Sequence, residues 1–215
     1  MEKSAVILAG GVSKRFGQDK ALVQIGGKPL ISRVFERARE VVDEVIVVVS
    51  SMAQKESYAL LFPRKTEIVV DVYDSRSVLV GALTGFMKAQ GEYSLLLPSD
   101  TPFVSRDIIR LLFEMSHNMD AVIPRWPNGY IEPLQAVYRT GSALAAAREA
   151  VRKGEARLQS MISLLKRVRY LSTIVVKEID PHLTTFFNIN TPSDLKRAER
   201  LINRKSTAQK SEGCL

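Results

Sequence analysis

Val6-Ile7-Leu8-Ala9-Gly10-Gly11-Val12-Ser13-Lys14-Arg15-Phe16-Gly17-Gln18-Asp19-Lys20-Ala21-Leu22 passes from a continuous apolar run into a glycine pair and then into a cationic loop. An apolar run without polar alternation marks a strand buried on both faces, as in a parallel sheet covered by helices. Three further runs of this kind follow: Val45-Ile46-Val47-Val48-Val49, Ile68-Val69-Val70 and Leu95-Leu96-Leu97. Between them the period changes. Leu30, Ile31, Val34, Phe35, Ala38 and Val42 share one helical face, and so do Ile108, Ile109, Leu112 and Met115, with Ser105 as an N-cap. Strand, loop and helix alternate through the first 115 residues. The fold class is therefore α/β with a layered sheet.

The second half is less regular. It predicts a strand over 120–124, a turn at Trp126-Pro127-Asn128-Gly129, and a further strand over 131–138. Helices are expected over 142–152 and 158–169, a strand over 174–179, and a final helix from Pro192 to Arg204 capped by Thr191. Residues 1–203 read as one domain, and 204–215 as a polar, disordered tail.

Composition excludes several classes. Of 215 residues, 46% are hydrophobic and 25% charged, the balance of a globular chain. No apolar run approaches the roughly 20 residues of a membrane helix, and the apolar N-terminal stretch is too short for a signal peptide. The single cysteine, Cys214, excludes an internal disulfide. A cytoplasmic protein without a membrane partner is expected. The net charge of +8 suits an anionic partner, whether nucleic acid, acidic lipid or a polyphosphate metabolite. No basic helical face carries interleaved aromatics, so nucleic acid is not expected.

Ligands of open α/β sheets bind outside the carboxyl ends of the strands. The loop after the first strand lies there. Gly10 and Gly11 allow close backbone approach, and Lys14, Arg15 and Lys20 supply positive charge. The spacing matches neither a Walker A loop nor G-x-G-x-x-G. Asp100, just beyond Leu95-Leu96-Leu97, stands where a carboxylate could hold Mg²⁺, or where an aspartate could cap a turn or helix. Asn188 and Asn190 alternate along an extended segment and so face one side. His117 and His182 lie far apart, with no ligand-like spacing.

Leu8-Ala9-Gly10-Gly11-x-Ser13-x-Arg15-Phe16-Gly17-x-Asp19-Lys20-Ala21-Leu22 resembles the signature loop of the sugar-nucleotide-transferase-like nucleotidyltransferases. Its Asp-Lys ending, followed by Gly27-Lys28-Pro29-Leu30, resembles the molybdenum cofactor guanylyltransferase branch. Pro98-Ser99-Asp100-Thr101-Pro102-Phe103, Glu132-Pro133-Leu134 and Phe187-Asn188-Ile189-Asn190-Thr191-Pro192 are similar to further motifs of that branch. Two positions depart from it: Ser99 replaces a cysteine, and Ser77-Val78-Leu79-Val80-Gly81 lacks the first glycine and the proline of a Gly-Pro-Leu-x-Gly segment.

The resemblance implies a Rossmann-like three-layer α/β/α sandwich with a mostly parallel sheet. It implies GMP transfer from GTP to a molybdopterin-type cofactor with release of pyrophosphate. Leu8, Ala9, Gly10 and Gly11 would meet the nucleotide, with Lys20 and Arg15 on its phosphates, and Ser50 and Asp71 on its guanosine part. Asp100 would ligate Mg²⁺, the expected cofactor. Glu132, Asn188 and Asn190 would lie toward the acceptor. Transient contact with cofactor-delivery or molybdoenzyme proteins is a further expectation. A related transferase using CTP or another phosphorylated acceptor is the alternative within the class, and a basic nucleic-acid-binding module the alternative outside it.

Overall fold

The computed structural model describes residues 2–10, 12–13, 16–72 and 77–212. Its centre is a seven-stranded sheet, numbered here β1 (Lys3–Leu8), β2 (Glu44–Val49), β3 (Glu67–Val70), β4 (Tyr93–Pro98), β5 (Ala121–Arg125), β6 (Ala136–Arg139) and β7 (Val168–Ser172). Their order across the sheet is β7-β5-β6-β4-β1-β2-β3. β1 pairs in parallel with both β2 and β4, β2 with β3, and β5 with β7. β6 alone is antiparallel to its neighbours β4 and β5.

The alternation of a pleated strand divides the core in two. From β1, Ala5 and Ile7 face one side, packing with Ile31, Val34 and Phe35 of α1 (Leu30–Arg39), Tyr58 of α2 (Met52–Ala59), and Ile108, Leu112 and Phe113 of α4 (Arg106–Glu114). Val6 faces the other side, toward Leu79, Leu83 and Phe86 of α3 (Val78–Lys88), the alanine face of α5 (Thr140–Arg152), and Leu158 and Met161 of α6 (Leu158–Ile162). The fold is the expected three-layer sandwich with a mostly parallel sheet. α3 lies so close to β1 that a Cβ at Gly85 would run into the Val6 side chain.

The second half departs from the expected pattern in three places. The helix expected over 158–169 stops at Ile162, and residues 168–172 form β7 instead. Val168 and Leu171 pack inward while Arg169 and Tyr170 stay exposed, and the backbone of this edge strand completes its pairing on β5. The strand expected over 174–179 is a single helical turn, α7 (Thr173–Val176), because the Ser172 hydroxyl caps it by accepting from the Ile174 N–H at 3.2 Å. The last helix, α8 (Pro192–Glu212), runs on through most of the expected tail. No glycine or proline interrupts 204–212, so helix propensity carries the backbone onward. Among the described residues no helix is long and apolar enough to cross a membrane.

Candidate active site

The carboxyl ends of β1, β2, β3 and β4 are stitched edge to edge. The Ala9 N–H donates to Val48 O at 2.8 Å, Asp71 N–H to Val49 O at 2.9 Å, and Ser99 N–H to Leu8 O at 3.1 Å. These bonds extend the ladder by a residue and place three loops along one rim. A cavity of about 260 Å³ opens there, lined by Leu8, Gly10, Lys20, Asp71, Gly81 and Asp100, with Leu134 among its further walls.

Lack of side chains shapes this cavity. A Cβ on Gly10 would come within 3.3 Å of Ser50 Cβ and 3.8 Å of Asp71 Oδ2, and one on Gly81 within 3.4 Å of Leu8 Cδ2 and 3.6 Å of Asp71 Oδ1. The two glycines thus leave the Asp71 carboxylate reachable between β1 and α3. Its Oδ1 is buried without a hydrogen-bond partner. Burial pushes the carboxyl up from its ordinary 3.8 to about 6, with the Thr84 hydroxyl offsetting part of the rise.

Lys20 converges on the same cavity from the loop after β1. It opens a short 3₁₀ turn capped by Asp19, whose Oδ1 accepts from the Ala21 N–H at 3.1 Å. Lys20 Nζ donates to Asp100 Oδ2 and, at 2.6 Å, to Asn190 Oδ1. The lysine and the aspartate are 17% and 18% exposed at their side chains, so the pair is largely removed from solvent. The Ile189 N–H donates to Asp100 O at 3.0 Å, tying the segment before α8 to the loop after β4. Thr191 then begins α8: its hydroxyl accepts from the Asp194 N–H, and the Asp194 carboxylate accepts from the N–H groups of Asn190 and Thr191.

Asp100 does not cap α4, which is preceded by Ser105. Arg106, the nearest cation in its own loop, pairs with Glu40 instead. The other Asp100 oxygen, Oδ1, is buried and unpartnered. This orphaned carboxylate oxygen, on the rim of the cavity, fits a hard divalent cation that keeps most of its shell for water and phosphate oxygens. Among the described residues no group of three or more His, Cys, Asp or Glu forms a complete metal cage, so a cation here would depend on its substrate for ligands.

Other expected site residues are placed differently. Gly11 and Arg15 lie outside the described residues. Ala9 is 2% exposed with its N–H committed to the sheet, so the residues of this strand end that face the cavity are Leu8 and Gly10. Ser50 does not line the cavity, since its N–H and hydroxyl both donate to Gln54 Oε1, at 2.9 and 2.8 Å. Glu132 also stands off it and accepts from the Trp126 indole N–H at 2.7 Å. Burial raises the Glu132 pKa, and the Trp126 bond partly offsets this. Asn188 is exposed, and of the expected asparagine pair only Asn190 is joined to Lys20.

Sequence reading missed a support beneath Lys20. Asp19 Oδ2 accepts from Gln54 Nε2 at 2.7 Å and from the Tyr58 hydroxyl at 2.8 Å. Gln54 therefore links Ser50 at the end of β2 to the turn that carries Lys20. Both Gln54 and Tyr58 belong to α2, a helix with little apolar periodicity whose visible signal is its cap: the Ser51 hydroxyl accepts from the Gln54 N–H.

The Lys20–Asp100 pair thus sits on a cavity opened by Gly10 and Gly81, at the carboxyl rim of an α/β sheet. Residues 5–169 match the MobA-like NTP transferase domain. The chain belongs to this family. Its MobA-like relatives include a probable molybdenum cofactor guanylyltransferase of Methanosarcina mazei, 35% identical over 202 residues, covering 90% of this chain and 88% of that protein. Another, from Methanosarcina acetivorans, is 36% identical over 201 residues, with coverage of 90% and 88%. The crystal structure of molybdopterin-guanine dinucleotide biosynthesis protein A from Archaeoglobus fulgidus superposes with a TM-score of 0.81 at 28% identity, covering 94% of this chain and 99% of that one. The MobA-like frame therefore extends over nearly the whole chain.

Proposed function

We propose that this nucleotidyltransferase moves GMP from GTP onto the terminal phosphate of a molybdopterin-type acceptor, in the cytoplasm, releasing pyrophosphate. The observation that carries the reading is the pair of buried, unpartnered carboxylate oxygens, Asp71 Oδ1 and Asp100 Oδ1, on the rim of one cavity with Lys20. Buried polar atoms without partners are uncommon and call for a ligand. Asp71, beside Gly10 and Gly81, suits a donor-rich base edge: guanine offers a ring N–H and an exocyclic amine side by side, whereas cytosine does not offer that pair. Asp100 and Lys20 suit the triphosphate.

The chemistry follows from charge. An acceptor phosphate oxygen attacks the α-phosphorus of GTP, a P–O bond to it forms, and the bond from the α-phosphorus to the bridging oxygen of the pyrophosphate breaks. The nucleophile is already an anion, so no strong general base is needed. Lys20 offsets the repulsion between the two anions and the charge that develops on the departing pyrophosphate. Asp100 and Asn190 hold its ammonium in place, so the cation is positioned for the phosphates. When bound, Mg²⁺ held by Asp100 would supply Lewis-acid charge on the phosphate oxygens. Asn190, joined to Lys20 just ahead of α8, would lie toward the acceptor. Arg15 would add a second cation from the loop.

Base choice tests the reading. GTP is expected to raise the melting temperature, CTP far less, and pyrophosphate release is expected to require both GTP and the acceptor. Equal protection by GTP and CTP would favour a transferase of different nucleotide specificity.

A further inference from the structure

A second cavity, of about 810 Å³, shares no lining residue with the nucleotide cavity. Lys177, His182, Arg197 and Arg200 line it around Trp126 and Phe187, and no carboxylate does. The Asp180 carboxylate borders it through Thr184, accepting from the Thr185 N–H at 2.7 Å and the Thr184 hydroxyl at 3.1 Å, and Glu178 and Glu199 adjoin Lys177 and Arg200 in sequence without lining it. Among the described residues Lys177, Arg197 and Arg200 form no ion pair, and Arg200 reaches only the Lys196 carbonyl, at 3.3 Å. Cations that outnumber the carboxylates around a hollow focus a positive field there.

The walls are ordered for a ligand. The Arg197 guanidinium stacks 5.0 Å from the Phe187 ring centroid, which covers one face and leaves its N–H edges for an in-plane anion. The Trp126 indole is pinned twice, by its N–H bond to Glu132 and by ring contact with Phe186 at 5.7 Å. It therefore forms a fixed flat surface. Two guanidinium forks and an ammonium suit the several oxygens of a phosphate monoester, and the apolar wall suits a compact organic body. The volume is that of a small-molecule site.

We propose that this cavity binds a phosphate monoester whose organic part lies against Trp126 and Phe187, at a site separate from the nucleotide. Such a ligand has two sources, the acceptor of the transfer reaction or a different phosphorylated compound. The binding site stands independently of the proposed guanylyl transfer, and only the choice of source rests on it.

Trp126 is the only tryptophan in the chain, so its emission reports occupancy directly. The probe is phenyl phosphate at constant ionic strength, with benzyl alcohol as the uncharged counterpart. A saturable change in emission is expected with phenyl phosphate, absent with benzyl alcohol, and at least about tenfold weaker in affinity in Arg197→Ala/Arg200→Ala. Circular dichroism melting establishes that the variant is folded. Lys177→Gln, at an exposed position, provides a second variant with an expected weakening of about threefold or more. A linear response, an equal response to benzyl alcohol, or an unchanged affinity in both variants would overturn the proposal. Phenyl phosphate that raises only the acceptor KM identifies the acceptor as the source, and an effect on kcat, or none, identifies another phosphorylated compound. Both of these patterns uphold the site.

Discussion

The Tyr58 hydroxyl donates to Asp19 Oδ2 at 2.8 Å, joining α2 to the turn that presents Lys20. Tyr58 is fully buried, and desolvation together with the adjacent Asp19 charge raises its pKa, so it remains a donor at every working pH. Tyr58→Phe removes the donor and keeps the ring. The partly buried Asp19 oxygen is then left to Gln54. A hydrogen bond to a charged group is worth about 1.5–3 kcal/mol, so a lower melting temperature is expected. Lys20 loses its support as well, and kcat should fall by more than the GTP affinity does. Steady-state kinetics with a parallel melting curve measures both.

Lys20 and Asp100 form one unit. Lys20→Met leaves Asp100 partly buried without its cation and removes charge from the phosphate site. GTP binding is expected to weaken by about 10–100-fold, the range of one or two charge-assisted hydrogen bonds, and the melting temperature to drop. Adding Asp100→Asn should restore part of the lost stability, because no uncompensated carboxylate remains, yet turnover should stay lost. A double-mutant cycle on melting and on pyrophosphate release separates the two effects.

Asp71 sets function against stability. Its folded-state pKa of about 6 exceeds the ordinary 3.8, so between those values the folded protein binds more protons than the unfolded chain. Native stability therefore falls as pH rises through that window. Asp71→Asn removes the titrating group, and its melting temperature should exceed the wild type's at about pH 8, with the gap closing near about pH 4. In the wild type, GTP affinity should weaken as pH falls through 6, because the protonated carboxyl loses acceptor capacity. Melting curves and GTP titrations across this range check the two signs.

Close packing of α3 on β1 gives a purely structural expectation. Gly85→Ala places a methyl against Val6 and should cost about 1–3 kcal/mol, the usual penalty of overpacking. Gly141→Ala, in α5 with open space around its Cβ position, should be neutral or stabilising by up to about 1 kcal/mol through helix propensity. Urea denaturation of both variants makes the comparison.

The parallel half of the sheet was legible because Val6, Val47 and Leu96 sit in runs that need burial on two faces, and only strands covered by helices satisfy that. The edge was less legible. β7 mixes Arg169 and Tyr170 with Val168 and Leu171, and its helix-like polarity concealed a strand whose pairing is decided by β5. Lys20 and Asp100 could be read from position, in the loops that follow buried strands, whereas Asp71 entered only through the family resemblance. Lys20 and Asn190, by contrast, are 170 residues apart, and only the fold brings them to 2.6 Å. The Glu132-Pro133-Leu134 motif does not show which of its residues meets the cavity: in the structure Leu134 lines it and Glu132 holds the Trp126 indole. The Asp19, Gln54 and Tyr58 support left no trace in periodicity, since hydrogen bonds between distant side chains do not repeat along a chain.

GMP transfer is measured most directly with GTP labelled at the α-phosphate, incubated with Mg²⁺ and molybdopterin, using the wild type and Asp100→Asn. Label should appear in the pterin product together with stoichiometric pyrophosphate in the wild type. In Asp100→Asn transfer should fall by about two orders of magnitude or more, on the scale of losing a group that stabilises transition-state charge, a loss far larger than the drop in melting temperature that weakening the Lys20 pair brings. Label that never leaves GTP in the wild type, or transfer at an undiminished rate in Asp100→Asn, would contradict the assignment.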